Sequence, residues 1–326
     1  MNYRYATLIY NPTSGRRRGL RERHVTQARD ELKRWIPRVE VQATSRAGDG
    51  SALAARAIAE GCDLIGACGG DGTINEVVSG MAGSEAALLA LPSGTANVLA
   101  AEVGLPMSPV KAAKLLPTLR PYRVPLGVVH FEMPKPGSRY FLLMCGIGVD
   151  ASIVYNLDTR LKALIGQGAY FVGSLGRLQQ PFESFRVSID GQEKRCTFAV
   201  ISKSRRYGGG LILTPDAHLL SEAFQVVLFE GDSPLRYIGY LARVATQSLH
   251  RFPDVHFWHT TRVELAVLSQ PKIHIEVDGE LAGRIPGCVT MARESLTLLL
   301  PPAYAARQED VAANAAATRS ATDQAP

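Results

Sequence analysis

Two apolar runs, Asp63–Cys68 and Ala86–Leu91, each lead into a glycine-bearing turn and then into a helical pattern. Repeated strand–turn–helix units commit a chain to a parallel sheet with helices packed on it. The first turn reads Gly69-Gly70-Asp71-Gly72, and Ile74, Val77, Val78 and Met81 then fall on one stripe of a helix expected to begin at Thr73. Three glycines in four residues let backbone amides crowd towards one point. The helix amino end adds unpaired N–H groups and a positive partial charge, so the corner suits a phosphate. A tight turn that binds nothing would also use glycine, but it has little use for an acid among them. Asp71 is therefore read as holding Mg²⁺ against a polyphosphate or as accepting a proton from an alcohol. The spelling differs from the Walker loop, which needs Gly-Lys-Ser/Thr, and from the three spaced glycines of the dinucleotide fingerprint.

The second turn is Pro92-Ser93-Gly94-Thr95-Ala96-Asn97, with a helix continuing to about Val103 before Gly104-Leu105-Pro106 stops it. Ser93, Thr95 and Asn97 can hydrogen-bond phosphate oxygens or a metal-bound water, or serve as helix caps. Upstream, the strand-like run Tyr5–Tyr10 ends in Asn11-Pro12-Thr13-Ser14-Gly15, a polar turn of the kind that lines ligands in open α/β sheets. A helix over Leu20–Ile36 follows, with Val25, Ala28, Leu32 and Trp35 at core spacing, and Arg38–Gln42 reads as the second strand. Thr44 precedes an alanine-rich helix and could be a ligand contact or a helix-entry residue. From about Pro121 the pattern turns to strands and hairpins, with a turn at Asp190-Gly191 and helices near Ser152–Leu164, Gly168–Leu178 and Leu235–Leu249. From about Ala305 to Pro326 no core pattern survives, and the tail is expected to be disordered.

At 326 residues there is chain enough for two domains. Five scattered cysteines without a Cys-x-x-Cys pair point to buried thiols in a reducing compartment, not to a disulfide frame or zinc site. No apolar stretch approaches the ~20 residues of a membrane span, and no signal core opens the chain, so a cytoplasmic location is expected. The net charge is +6, with Arg16, Arg17, Arg18, Arg21 and Arg23 clustered. That cluster suits phosphates, anionic headgroups or a solvated helix face. No nucleic-acid-reading motif or aromatic–basic interleaving accompanies it, so nucleic acid is not an expected partner.

Gly-Gly-Asp-Gly-Thr-Ile-Asn-Glu-Val (Gly69–Val77) and Leu-Pro-Ser-Gly-Thr-Ala-Asn (Leu91–Asn97) resemble the two signatures of the diacylglycerol kinase catalytic domain family, which includes bacterial lipid kinases, sphingosine kinases and ceramide kinases. NAD kinases share the first loop in part but not the second in this form. The resemblance runs from about Thr7 to Leu300. It implies a Rossmann-like nucleotide domain of the NAD kinase/diacylglycerol kinase type (1–125), then a β-sandwich lipid-substrate domain (126–303) whose last strand returns to the first, and the tail (304–326). It implies an ATP- and Mg²⁺-dependent lipid kinase with diacylglycerol as first acceptor; a ceramide or sphingoid-base kinase, an NAD kinase and a weakly active nucleotide- or lipid-binding regulator are the alternatives. The membrane lipid would be met at the bilayer surface, with the enzyme peripherally associated, and a homodimer is compatible with the reading.

Carried over residue by residue, the resemblance places Asn11, Ser14, Thr44, Gly69, Gly70, Asp71, Gly72, Thr73, Asn75, Ser93, Thr95 and Asn97 at the nucleotide. It makes Glu280 of Asp278-Gly279-Glu280 the general base, with Asp278 shaping the turn. Asp150 of Gly146-Ile147-Gly148-Val149-Asp150-Ala151 would face the acceptor, although it could equally cap a helix. In some relatives a loop matching Thr214–Ala223 holds a structural Mg²⁺, which places His218, Ser221 and Ala223 at such an ion; here Ser221-Glu222 stands where Asp-Gly is usual. Pro125 stands where many relatives carry an acid belonging to the network around the catalytic Mg²⁺.

Overall fold

The computed structural model describes residues 3–12, 18–148, 182–208, 210–268 and 273–308. Four strands, β1 (Tyr5–Tyr10), β2 (Arg38–Ala43), β3 (Leu64–Gly69) and β4 (Ala87–Pro92), pair in parallel in the order β2-β1-β3-β4. Every residue of β3 and β4 is buried, which is why they read as continuous apolar runs without alternation. Helices α1 (Arg18–Leu32), α2 (Asp49–Ala59), α3 (Asp71–Met81), α4 (Val98–Val103) and α5 (Pro109–Lys114) connect or follow these strands. Ile9, Ile65, Leu89, Val77, Val78 and Leu32 belong to the core between them.

The second half is β-rich. Its strands are β5 (Arg120–Met133), β6 (Gly137–Phe141), β7 (Met144–Gly148), β8 (Phe185–Ile189), β9 (Gln192–Cys196), β10 (Phe198–Ser202), β11 (Arg206–Tyr207), β12 (Leu211–Ile212), β13 (Phe224–Phe229), β14 (Val255–Thr260), β15 (Arg262–Val267), β16 (His274–Val277) and β17 (Glu280–Leu300), with helix α6 (Pro234–Ala245) between β13 and β14. Phe141, Phe185, Phe224, Ile147 and Ile275 fill a second core. The two halves share one hydrogen-bonded sheet, β14-β13-β10-β7-β16-β17-β4-β3-β1-β2. Its link is the 21-residue β17, which pairs with β16 at its start, with β5 along most of its length and in parallel with β4 at Thr297 and Leu298. Pro125 lies opposite Ser295, where the β5–β17 register shifts; a bulge is one of the few sheet positions that tolerate a missing N–H. Among the described residues no helix is long and apolar enough to cross a membrane.

The turn at Asp190-Gly191 forms as expected, with both residues at positive φ. Two expectations change. Val25, Ala28 and Leu32 do face the core, but Trp35 is 58% exposed. The regular helix stops at Leu32, so the period breaks and Ile36 turns inward instead. The tail is ordered further than its composition suggests: residues 302–308 are helical, with Tyr304, Ala305 and Gln308 buried. Tyr304 is the anchor, its hydroxyl accepting a hydrogen bond from the Leu219 amide at 3.0 Å. The expected helices near Ser152–Leu164 and Gly168–Leu178 lie outside the described residues, as does the tail beyond 308.

Candidate active site

Register brings the motif loops together. Tyr10 lies beside Ala43 and Cys68, and Gly69 beside Pro92. Asn11, Thr44, Gly69–Gly72 and Ser93–Asn97 therefore emerge at the carboxyl ends of four neighbouring parallel strands, where open α/β sheets bind ligands. Ser14 and Asp150 lie outside the described residues.

The two signature loops touch. The Ser93 amide donates to the Gly69 carbonyl at 2.9 Å. A Cβ added at Gly94 would run into the Gly70 Cα and lie 3.1 Å from its nitrogen, so only glycine permits this approach. Helix α3 begins at Asp71, two residues earlier than its apolar stripe suggests, with Gly70 as the cap. The amides of the helix's first turn, Gly72 and Thr73 among them, have no partner within the helix.

The polar side chains divide into those that build the loops and those that face outward. Asn97 adopts left-handed backbone (φ 49°) and closes its own turn, its Oδ1 accepting from the Gly94 amide at 2.9 Å and its Nδ2 donating to the Gly94 carbonyl at 3.0 Å. Thr73 is buried and Thr44 is buried, whereas Thr95 is exposed at the turn. The Asp71 carboxylate accepts from the Val98 amide at 3.0 Å and the Leu99 amide at 3.2 Å, tying the glycine loop to α4. Burial pushes the Asp71 carboxyl up, against the pull of the backbone amides of Val98, Leu99, Asp71 and Asn97. A cation beside it would favour the charged form.

Glu280 reaches this corner from the other half of the molecule. It opens β17 directly after the two-residue turn Asp278-Gly279, both at positive φ (49° and 86°), as a tight hairpin requires. A Cβ added at Gly72 would collide with Glu280 Oε1 and lie 3.0 Å from its Cγ and Cδ. The exposed Glu280 side chain therefore lies directly over the glycine loop at Gly72.

Asp278 fixes that placement. Its fully buried carboxylate accepts from the amides of Leu142, Leu143 and Met144, each at 2.9 Å, and from Asn75 Nδ2 at 2.8 Å. Burial raises its pKa, opposed by these four donors. Asn75, expected at the nucleotide, thus points its amide at the turn; its Nδ2 also donates to the Tyr140 carbonyl at 2.9 Å, and its Oδ1 accepts from Arg139 Nη2 at 3.0 Å. Arg139 Nη1 in turn donates to the Leu281 carbonyl at 3.1 Å. Sequence reasoning missed Arg139, since no local pattern marks a strand arginine that closes a network across the fold. It also left Glu76 without a role, although it lies within the first signature. Glu76 accepts from the Gly48 and Gly50 amides at 2.8 and 3.0 Å and so sets the entry to α2 after Thr44.

Among the described residues no cluster of three His, Cys, Asp or Glu side chains could hold a metal by itself. Asp71 fits an ion of the Mg²⁺ type, which takes one or two protein carboxylates and completes its shell with phosphates and water. The loop Thr214–Ala223 does not fit the structural ion. The His218 carbonyl already accepts from the Ser221 amide at 3.1 Å, the Ala223 carbonyl accepts from Ser221 Oγ at 2.8 Å, and the Ser221 carbonyl accepts from Lys203 Nζ.

Comparison with known proteins agrees with this layout. Residues 5–129 match the model of the diacylglycerol kinase catalytic domain, and residues 144–300 match the YegS C-terminal NAD kinase beta sandwich-like domain. The Bacillus subtilis (strain 168) diacylglycerol kinase is 29% identical over 314 residues, covering 94% of this chain and 99% of that protein. The Staphylococcus saprophyticus diacylglycerol kinase is 27% identical over 302 residues, covering 91% and 95%. A crystal structure of a diacylglycerol kinase from Bacillus anthracis str. Sterne shares the fold with a TM-score of 0.71 at 21% identity, over 93% of this chain and 99% of that one. With both halves matched in order and nearly end to end, the chain has the architecture of a diacylglycerol kinase catalytic domain followed by a YegS C-terminal domain, and is homologous to the bacterial diacylglycerol kinase family.

Proposed function

We propose that this protein is an ATP- and Mg²⁺-dependent lipid kinase that phosphorylates the free hydroxyl of diacylglycerol to give phosphatidic acid. The observation that carries the reading is the seating of the Glu280 carboxylate over Gly72 of the glycine loop. An acid that can take a proton meets a turn that can hold phosphates, and the two come from opposite ends of the chain. The names of the relatives support diacylglycerol as the acceptor.

Bound Mg–ATP supplies the γ-phosphoryl group together with the divalent charge that neutralises its oxygens. The first-turn amides of α3 and the hydroxyls of Ser93 and Thr95 would hold the phosphates, and Asp71 would hold the Mg²⁺. Asn11, Ser14 and Thr44 flank the same row of strand ends and would meet the rest of the nucleotide. Glu280 would take the proton from the lipid hydroxyl as that oxygen bonds to the γ-phosphorus and the bond to the bridging oxygen breaks, releasing ADP. Asp278, Asn75 and Arg139 keep Glu280 in place, so most of the acceleration comes from alignment and charge neutralisation. A lipid acceptor implies work at the cytoplasmic face of a bilayer, where a net charge of +6 is drawn to anionic lipid. Purified protein incubated with Mg–ATP and a panel of diacylglycerol, ceramide and sphingosine should yield phosphatidic acid by mass analysis. Formation of NADP from NAD instead, or no phosphorylated lipid at all, would overturn the reading.

A further inference from the structure

Lys203 is fully buried, although lysine is almost never so without a partner. Its backbone amide donates to the Leu143 carbonyl at 2.8 Å, which fixes the exit from β10, and its Nζ donates to the Ser221 carbonyl. The loop receiving it, Thr214–Ala223, is pinned at three further points. Thr214 Oγ1 donates to the Ser204 carbonyl at 2.7 Å. Asp216 exchanges hydrogen bonds with the Gln225 side chain, both at 2.9 Å. The Leu219 amide donates to the Tyr304 hydroxyl at 3.0 Å. Ser221 Oγ turns back onto the Ala223 carbonyl and accepts from the Ala223 amide at 3.1 Å, so it does not project into the loop centre.

We propose that the amino group of Lys203 is the built-in occupant of the Thr214–Ala223 loop, doing there what a divalent ion would do, so that this part of the fold needs no metal. A divalent ion in such a loop gathers carbonyls that would otherwise repel one another. Here the carbonyls at 218, 221 and 223 each already accept from a protein donor, and the position that would supply a carboxylate is a serine whose hydroxyl turns back onto the Ala223 backbone. The inference concerns the loop alone and stands or falls apart from the catalytic reading.

Hydrogen–deuterium exchange of nucleotide-free protein tests it locally. Peptides covering 214–223 should exchange at the same rate in EDTA and in millimolar MgCl₂. Lys203→Met should speed their exchange and lower the melting temperature by about 5 °C or more in both buffers, since a buried acceptor loses its partner. Faster exchange of wild-type 214–223 in EDTA would overturn the proposal, as would a Lys203→Met protein whose loop exchanges as slowly as wild type. Should Lys203→Met fail to fold, the wild-type comparison in the two buffers decides alone.

Discussion

Asn75 Nδ2 donates to Asp278 Oδ2 at 2.8 Å, joining residues 203 positions apart in the chain. One belongs to the helix of the glycine loop and the other to the hairpin that carries Glu280. Asn75→Ala should therefore lower kcat about 10- to 100-fold by loosening Glu280, with a smaller effect on the KM for ATP. It should also cost about 1–3 kcal/mol of stability, because a buried carboxylate loses one of its donors. Steady-state kinetics together with urea melts would read both effects.

Glu280→Gln should reduce kcat about 10²–10⁴-fold, the usual range for losing a general base. The side chain is exposed, so the melting temperature should stay near that of the wild type. Gly72→Ala pushes a methyl group into the same carboxylate. If the two side chains act at one point, Gly72→Ala combined with Glu280→Gln will be little worse than Glu280→Gln alone, and a double-mutant cycle measures this.

At Gly94 the added methyl group meets backbone, not a flexible side-chain tip. Gly94→Ala should part the two signature loops, weaken ATP binding about tenfold or more and destabilise the protein by about 1–3 kcal/mol. Nucleotide titration by calorimetry and thermal melting would separate the two losses.

Glu102 on α4 is buried and accepts from Ser204 Oγ at 3.0 Å and from the Arg205 and Arg206 amides at 3.1 and 3.3 Å, with the Arg205 guanidinium 3.6 Å away. It ties the second signature to the strand layer. Glu102→Ala should cost about 3–5 kcal/mol, the scale for breaking a buried charge network from one side. Tyr304→Phe, which removes the acceptor of the Leu219 amide, should cost about 1–2 kcal/mol.

Burial pulls the Lys203 ammonium down to about 7, partly offset by Glu222. An unfolded chain keeps that proton up to the ordinary lysine value of 10.5, so between these two values the unfolded state binds more protons. The lysine's contribution therefore makes stability rise with pH across that window. Denaturant melts from pH 6 to pH 10 should show a slope in the wild type that Lys203→Met flattens; equal slopes would refute the assignment.

The nucleotide half was largely legible because each of its elements carries its own local signal. Buried parallel strands read as apolar runs, and glycine turns announce helix entries. Glu280 was singled out by motif, and the fold lays it over Gly72 of the glycine loop. What stayed hidden depends on contacts between distant segments. Asn75 reads as a ligand residue because it lies in a glycine-loop motif, yet its partners lie on β6 and in the hairpin turn. Arg139, Glu102 and Lys203 have no local pattern that separates them from solvated charges. Trp35 misled because periodicity does not reveal that the helix ends at Leu32. The tail misled because alanine-rich composition concealed the single anchor, Tyr304.

The 21-residue ribbon that starts at Glu280 and ends against β4 has a mechanical corollary. The Glu280 hairpin and the parallel sheet are joined by one hydrogen-bonded strand, which pairs with β16 at its start and with β4 near its end. Swinging the layers apart would tear ladder bonds along it, so opening and closing must come from twisting at its irregular stretches, Arg284–Gly287 and Met291–Ser295. The distance between Glu280 and the β4 edge is thereby set by the length of that one strand.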